Sequence, residues 1–256
     1  MKTPILRVEA NGRTTTDDLL AIEQPLDIHI NGHPFSLTMR TPGNDEDLVA
    51  GLLFAEGVIE SGTEIAGFSR QSSNHLNIEI TTPFEPSQFK RNVITTSACG
   101  ICGLRAIDDR LALPKIPESK FAIPSRALRG LPQALEEKQK VFQETGALHA
   151  AAWFDSSGRV LLTREDVGRH NAVDKLVGHS VREGRTPVSN LGLLVSGRVA
   201  FEIVQKAARA GVPFLAAMGA PTSLAVHCAN LAGLTIVGFL RADRANVYSG
   251  FQRLTQ

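Results

Sequence analysis

Cysteine is scarce in this sequence: there are three among 256 residues, with one tryptophan and one tyrosine. So small and odd a number excludes a secreted scaffold built on disulfides and fits a reducing compartment. Excess charge is also missing, since 27 Lys and Arg face 26 Asp and Glu for a net charge of +1. No field of the whole molecule draws nucleic acid or an anionic membrane, so any anion must be held by a local basic cluster. No apolar run is long enough to span a bilayer, and Met1–Glu9 lacks the apolar centre of a signal peptide. These absences predict a cytoplasmic protein with neither a nucleic-acid nor a membrane partner. Neither Gly-x-Gly-x-x-Gly nor a Walker motif occurs, so a usual dinucleotide cofactor or NTP hydrolysis is unsupported. The length permits a large core without disulfides or metal, as one large domain or two modest ones.

The chain reads as α/β, or α+β overall, in two parts. Residues 1–112 form a β-rich domain. Leu26-Asp27-Ile28-His29-Ile30 alternates, Asn31-Gly32 follows, and Pro34–Met39 returns, which is a type I′ hairpin signal. Asn44 precedes a helix with Asp47 three residues on, a capping arrangement, and Gly57 ends it. Leu76, Ile78 and Ile80 alternate in another strand. His29, His33 and His75 read as strand or turn residues. Residues 113–124, with three prolines, form a linker. A helix is expected from Ser125 to about Glu144, or two shorter ones if Pro132 interrupts it. From residue 147 a hairpin (Ala147–Phe154, Val160–Thr163) leads into alternating helices and short apolar strands to Leu240. That pattern predicts, for residues 125–256, a mostly parallel sheet covered on both faces in three layers.

Two of the cysteines lie in Ser97-Ala98-Cys99-Gly100-Ile101-Cys102-Gly103, after an expected strand at Asn92–Thr96. A glycine after each thiol leaves the backbone free for close approach by another molecule. Structural zinc needs two more ligands, and the remaining Cys228 sits in a predicted helix as a small core residue. The order of elements over 147–240 resembles a zinc deaminase, but no histidine begins His-x-Glu and Ala98 precedes Cys99, so the metal chemistry is missing. A thioredoxin-type dithiol remains open, although the glycines point to a loop. Also open is a thiol that accepts sulfur as a persulfide, with the second thiol relaying or releasing it.

Ligands of open α/β sheets sit outside the carboxyl ends of the strands. There the sequence delivers Arg164–Asn171, Ser196-Gly197-Arg198, Gly219–Ser223 and Arg241–Arg244. The first three precede helix N-termini, which favour anions, and Arg164, Arg169, Arg198, Arg241 and Arg244 add planar donors. One rim with several arginines predicts a phosphate-bearing ligand. Asp166 and Asn171 have two uses, capping the helix or touching the ligand. His170 has three: tuning a thiol, contacting phosphate, or structure.

The cysteine stretch, with Arg164–Lys175, Ser196-Gly197-Arg198, Gly219–Ala225 and Gly238–Arg241 in that order, resembles the FdhD family of sulfur carriers required for formate dehydrogenase. The resemblance spans nearly the whole chain. It implies that a cysteine desulfurase loads sulfur on Cys99 as a persulfide with Cys102 assisting. The sulfur would pass to the molybdenum or tungsten centre of a bis(molybdopterin guanine dinucleotide) cofactor, which the chain binds as acceptor and GDP mimics. Phe239, Leu240, Arg241, Ala242, Asp243 and Arg244 correspond to the family's cofactor-binding stretch. A cytidine-deaminase-like C-terminal part, a homodimer, formate dehydrogenase as recipient and no tightly bound metal are implied as well. Two alternatives stand beside it: a cofactor-binding chaperone without chemistry of its own, and a dithiol oxidoreductase.

Overall fold

A computed structural model describes residues 1–85 and 113–256. Cys99, Cys102 and the strand expected at Asn92–Thr96 lie outside the described residues. The chain opens with an antiparallel hairpin, β1 (Lys2–Glu9) and β2 (Gly12–Leu19), which carries exposed Leu6 and Val8. A four-stranded sheet follows, made of β3 (Gln24–Ile30), β4 (His33–Arg40), β5 (Ile65–Ser72) and β6 (His75–Ile80) in the order β4-β3-β6-β5. Asn31 and Gly32 turn the first hairpin with φ of 50° and 81°, as a type I′ turn requires. Strands β3 and β6 run parallel, and Leu26, Ile28, Ile30, Leu76 and Ile78 are buried along one face.

Helix α1 (Asp45–Glu56) ends as expected at Gly57, whose φ of 74° lets its N–H reach back to the Leu53 and Phe54 carbonyls. Its start differs from the expectation. Asn44 adopts a left-handed φ of 55° and its side chain makes no capping bond. Asp47 is drawn inward by two arginines, accepting from Arg164 at 2.9 Å and Arg182 at 2.7 Å. A neighbouring buried carboxylate, Asp45, accepts from Arg40 at 3.0 and 3.1 Å.

The second half holds α2 (Ser125–Glu136), α3 (Lys140–Thr145), β8 (His149–Phe154) and β9 (Val160–Asp166), preceded by a short strand β7 (Ile123–Pro124). Then come α4 (Arg169–Arg182), β10 (Gly192–Val195), α5 (Phe201–Arg209), β11 (Phe214–Ala217), α6 (Ser223–Ala232), β12 (Thr235–Gly238) and β13 (Asn246–Ser249). The final strand, β14 (Leu254–Thr255), pairs with β7. Pro132 lies inside α2, and the helix breaks instead at residues 137–139. Leu128, Leu131 and Leu135 seat α2 on the sheet through the proline, so packing outweighs the local propensity.

The large sheet runs β13-β12-β11-β10-β8-β9. Only its centre is parallel: β10, β11 and β12 pair in parallel, whereas β8, β9 and β13 join antiparallel. The mostly parallel sheet expected from the alternating pattern is therefore a mixed one. The tight turn at Asp155–Gly158 forces β9 back along β8. Alternate residues divide the sheet's two faces. Trp153, Leu193 and Leu215 face α4, α5 and α6, while Phe154, Leu194 and Phe214 face α2.

The boundary expected at residues 113–124 separates two sheets but not two cores. One hydrophobic cluster runs from Leu26 and Ile28 through α1 and α4 to Leu215 and Ile236. Helices α1 and α4 meet backbone to backbone, for a Cβ at Gly51 would lie 2.0 Å from the Asp174 carbonyl oxygen. The expected linker is docked: Phe121 and Ile123 are buried, and the Ile116 N–H donates to the Ala232 carbonyl at 2.8 Å.

Candidate functional site

The carboxyl ends of β9, β10, β11 and β12 come out along one edge of the large sheet, together with the start of β8. The turns they feed are tied to one another. Gly219 N–H donates to the Gly197 carbonyl at 3.2 Å, and Phe239 N–H to the Gly219 carbonyl at 3.0 Å. Glycine is needed for this approach: a Cβ on Gly219 would lie 2.6 Å from the Gly197 oxygen, and one on Gly238 2.7 Å from Pro221 Cδ. Gly197 itself sits between His149 and Arg169, since its added Cβ would be 3.4 Å from His149 Nδ1 and 3.5 Å from Arg169 Cδ. A cleft of about 520 Å³ opens here, lined in part by Gln139, Phe142, His149, Ser196 and Met218. Its wall is held by Glu165, whose carboxylate accepts the Val141 and Phe142 N–H groups at 3.1 and 2.8 Å at the start of α3. A second cleft, of about 700 Å³, lies by Trp153, Leu162 and His179 and contains none of these residues.

The arginines expected at this edge separate into two groups. Among the described residues, no carboxylate pairs with Arg169, Arg198, Arg241 or Arg244. Arg198, Arg241 and Arg244 are exposed and Arg169 is half-buried. Arg164 departs from the expectation: its guanidinium turns away to Asp47, and the side chain is 14% exposed. Arg241 is fixed by its own Nη1, which donates to the Met218 and Leu240 carbonyls, each at 2.7 Å. Its N–H closes a turn on the Arg244 carbonyl at 2.8 Å, leaving Ala242 and Asp243 exposed at the tip. Phe239 is exposed with a φ of 51°, uncommon for a residue with a side chain. Leu240 points into the core and offers only its backbone.

Asp166 and Asn171 are occupied within the protein. Asp166 is fully buried; Oδ1 accepts from Gly168 N–H at 2.8 Å and Asn171 Nδ2 at 3.0 Å, and Oδ2 from Thr41 N–H at 3.1 Å. Lys175 Nζ stands 2.7 Å from the same Oδ2. Asn171 Nδ2 also donates to the Met39 carbonyl at 2.8 Å. The Asp166 carboxylate is thus a clasp between β9, α4 and the N-terminal sheet, with no oxygen left for a guanine edge.

Sequence reasoning missed His149 and Lys206. Burial, then Arg169 and Arg198, push the His149 imidazole below its ordinary pKa, against an opposing pull from Asp166. His170 is pushed down to about 3, first by burial and then by Lys206, Arg169 and His149. Both rings are neutral at pH 7. The Nε2 of His170 and the Nε of Arg169 are buried with no partner among the described residues. Lys206 donates to buried Asp174 at 2.5 Å behind this edge. The only signal for His149 was a lone polar residue heading an apolar strand. An edge with surplus cations, neutral imidazoles and the uncapped N-termini of α4 and α5 suits a polyanion.

The model of the FdhD/NarQ family matches residues 21–255. The chain belongs to this family. It is 46% identical over 259 residues to the sulfur carrier protein FdhD of Nocardia farcinica, covering 98% of this chain and 93% of that one. The FdhD of Sulfurisphaera tokodaii is 39% identical over 253 residues, with 98% and 97% covered. Among solved structures, a candidate formate dehydrogenase accessory protein from Desulfotalea psychrophila superposes with a TM-score of 0.81. That match covers 100% of this chain and 99% of the other at 24% identity, and so speaks to the fold. The β1–β2 hairpin precedes the family match, whereas the whole arginine-bearing edge lies within it.

Proposed function

We propose that this FdhD/NarQ protein is a sulfur carrier for formate dehydrogenase. The observation that carries the reading is full-length likeness to sulfur carrier proteins in a chain whose Cys99 and Cys102 have two residues between them. The donor is the persulfide of a cysteine desulfurase. The Cys99 thiolate attacks its outer sulfur, giving Cys99–S–SH and returning the desulfurase thiolate. The Cys102 thiolate then attacks the inner sulfur of Cys99, expelling hydrosulfide and leaving a Cys99–Cys102 disulfide. A dithiol reductant restores the two thiols, so the electrons balance.

The acceptor is the molybdenum centre of a bis(molybdopterin guanine dinucleotide) cofactor, bound as cargo at the sheet edge. Its pyrophosphates match Arg169, Arg198 and the N-termini of α4 and α5. The turn Phe239–Arg244 and the cleft beside His149 supply walls for the remainder. Neutral His149 and His170 offer hydrogen bonds without adding charge.

The test is genetic and biochemical. In a host deprived of its own copy, this chain is expected to restore formate dehydrogenase activity, and Cys99→Ala is expected not to. Full activity in the deprived host, or full restoration by a variant lacking both cysteines, would overturn the proposal.

A further inference from the structure

Three residues on the open face of the N-terminal sheet have no part in the sulfur relay. Parallel pairing of β3 with β6 sets Asp27 opposite His75, and the strand period of two puts His29 on the same face as Asp27. Their sequence neighbours Leu26, Ile28, Ile30 and Leu76 are buried on the other face. Asp27 Oδ2 lies 3.2 Å from His29 Nε2 and 3.2 Å from His75 Nδ1. The two rings are tilted by 50° with centroids 4.2 Å apart. One oxygen and two ring nitrogens therefore converge within 4.8 Å of one another.

The hydrogen inventory requires something positive at that point. His29 Nδ1 faces the Gly32 carbonyl at 3.4 Å. A carbonyl only accepts, so Nδ1 carries a proton, and Nε2, unless a proton or metal ion occupies it, aims a lone pair at a carboxylate oxygen. A proton on Nε2 or a metal ion shared with the carboxylate resolves the conflict, and His75 Nδ1, 3.2 Å from the same oxygen, gives such an ion a further donor. A ligating histidine commonly donates its other N–H to a backbone carbonyl, the arrangement that His29 has. A tetrahedral ion with N and O ligands at about 2.0–2.1 Å separates those ligands by about 3.3 Å, close to both separations here. Asp27 is 47% exposed while the imidazoles are 18% and 16% exposed, so the site is walled below and open above.

We propose that Asp27, His29 and His75 bind a divalent transition ion of the zinc class, which ties β3 to β6. Two imidazoles select such an ion over calcium or magnesium. Three protein ligands leave a coordination position for water.

The experiment uses untagged full-length protein carrying Cys99→Ser and Cys102→Ser, stripped by chelator and titrated with Co²⁺. Removing both loop thiols leaves Cys228, which is free and buried, as the one remaining cysteine. The expected result is one equivalent of Co²⁺ with a visible spectrum free of thiolate charge transfer, displaced by Zn²⁺. His29→Ala and His75→Ala should each weaken uptake by about tenfold or more, and Asp27→Asn should weaken it too. Proton NMR of the unsubstituted histidines answers the case of a variant that fails to fold, because Co²⁺ should shift two imidazoles among the seven histidines. No uptake by the folded Cys99→Ser, Cys102→Ser protein, uptake unaffected by either folded histidine variant, or shifts confined to other histidines would overturn the proposal.

Discussion

Gly178 on α4 lies so close to Asp47 on α1 that a Cβ there would stand 1.8 Å from the Asp47 carbonyl oxygen. The two helices join the N-terminal sheet to the sheet that carries the arginine edge. Gly178→Ala must therefore push α1 and α4 apart, and is expected to destabilise by about 3 kcal/mol or more. Gly130→Ala is the control, because nothing lies within 4 Å of its added Cβ. Urea denaturation should lower the midpoint for the first and leave the second near wild type.

Lys175 and Asp166 form an ion pair with side chains 2% and 0% exposed. Lys175→Met strands a buried carboxylate and should cost about 3–5 kcal/mol. The pair of Arg159 with Asp155 is its opposite, since Arg159 is 75% exposed. Arg159→Ala should change stability by no more than about 0.5 kcal/mol. Equal losses in the two variants by urea denaturation would contradict this reading of the Asp166 clasp.

His170 makes the fold lose stability in acid, against an opposite contribution from buried Asp174, whose pKa is pushed up to about 6. The folded pKa of His170, about 3, is far below the ordinary 6.5, so between those limits the unfolded chain binds the extra proton. The stability that neutral His170 allows is present above pH 6.5 and drains as pH falls toward 3, with a slope of up to about 1.4 kcal/mol per pH unit. His149 is shifted in the same direction. Wild type should lose stability between pH 7.5 and 5 by chemical denaturation, and His170→Gln should show a flatter profile. An identical profile for the variant would refute the assignment.

Much of this fold was legible in the sequence because local signals and tertiary packing agreed. Asn31-Gly32 gave a turn that the backbone adopts, and Gly57 ends helix α1 as expected. The convergence of the strand ends was readable because strands alternating with helices bring their carboxyl ends to one edge. The rest depended on contacts between distant residues. Nothing near Arg164 in sequence announces its pairing with Asp47, 117 residues away. Asp166 looked like a ligand because its four internal donors come from both halves of the chain. The Asp27–His75 contact, 48 residues apart, follows from a parallel pairing that alternation alone cannot specify.

The unpaired arginines make nucleotide binding measurable. GDP is expected to bind the full-length protein, and Arg198→Ala or Arg169→Ala to weaken it by about 10- to 100-fold, the loss of a charge-assisted hydrogen bond. Arg185→Ala should leave affinity unchanged, because Arg185 borders the other cleft. Affinity should also fall with added salt. Calorimetry showing no GDP binding by folded protein, or equal affinity in all three variants, would count against the sheet edge as the cofactor site.

The proposed relay requires sulfur to travel on Cys99. Peptide mass spectrometry after incubation with a cysteine desulfurase and cysteine, without reductant, tests it most directly. Wild type, Cys99→Ala and Cys102→Ala would be compared. The expected result is one added sulfur on the Cys99 peptide of Cys102→Ala, where nothing expels it, that sulfur or the Cys99–Cys102 disulfide left by its release in wild type, and neither in Cys99→Ala. No added sulfur on either cysteine, with the desulfurase active, would contradict it and leave cofactor binding as the function of the arginine edge.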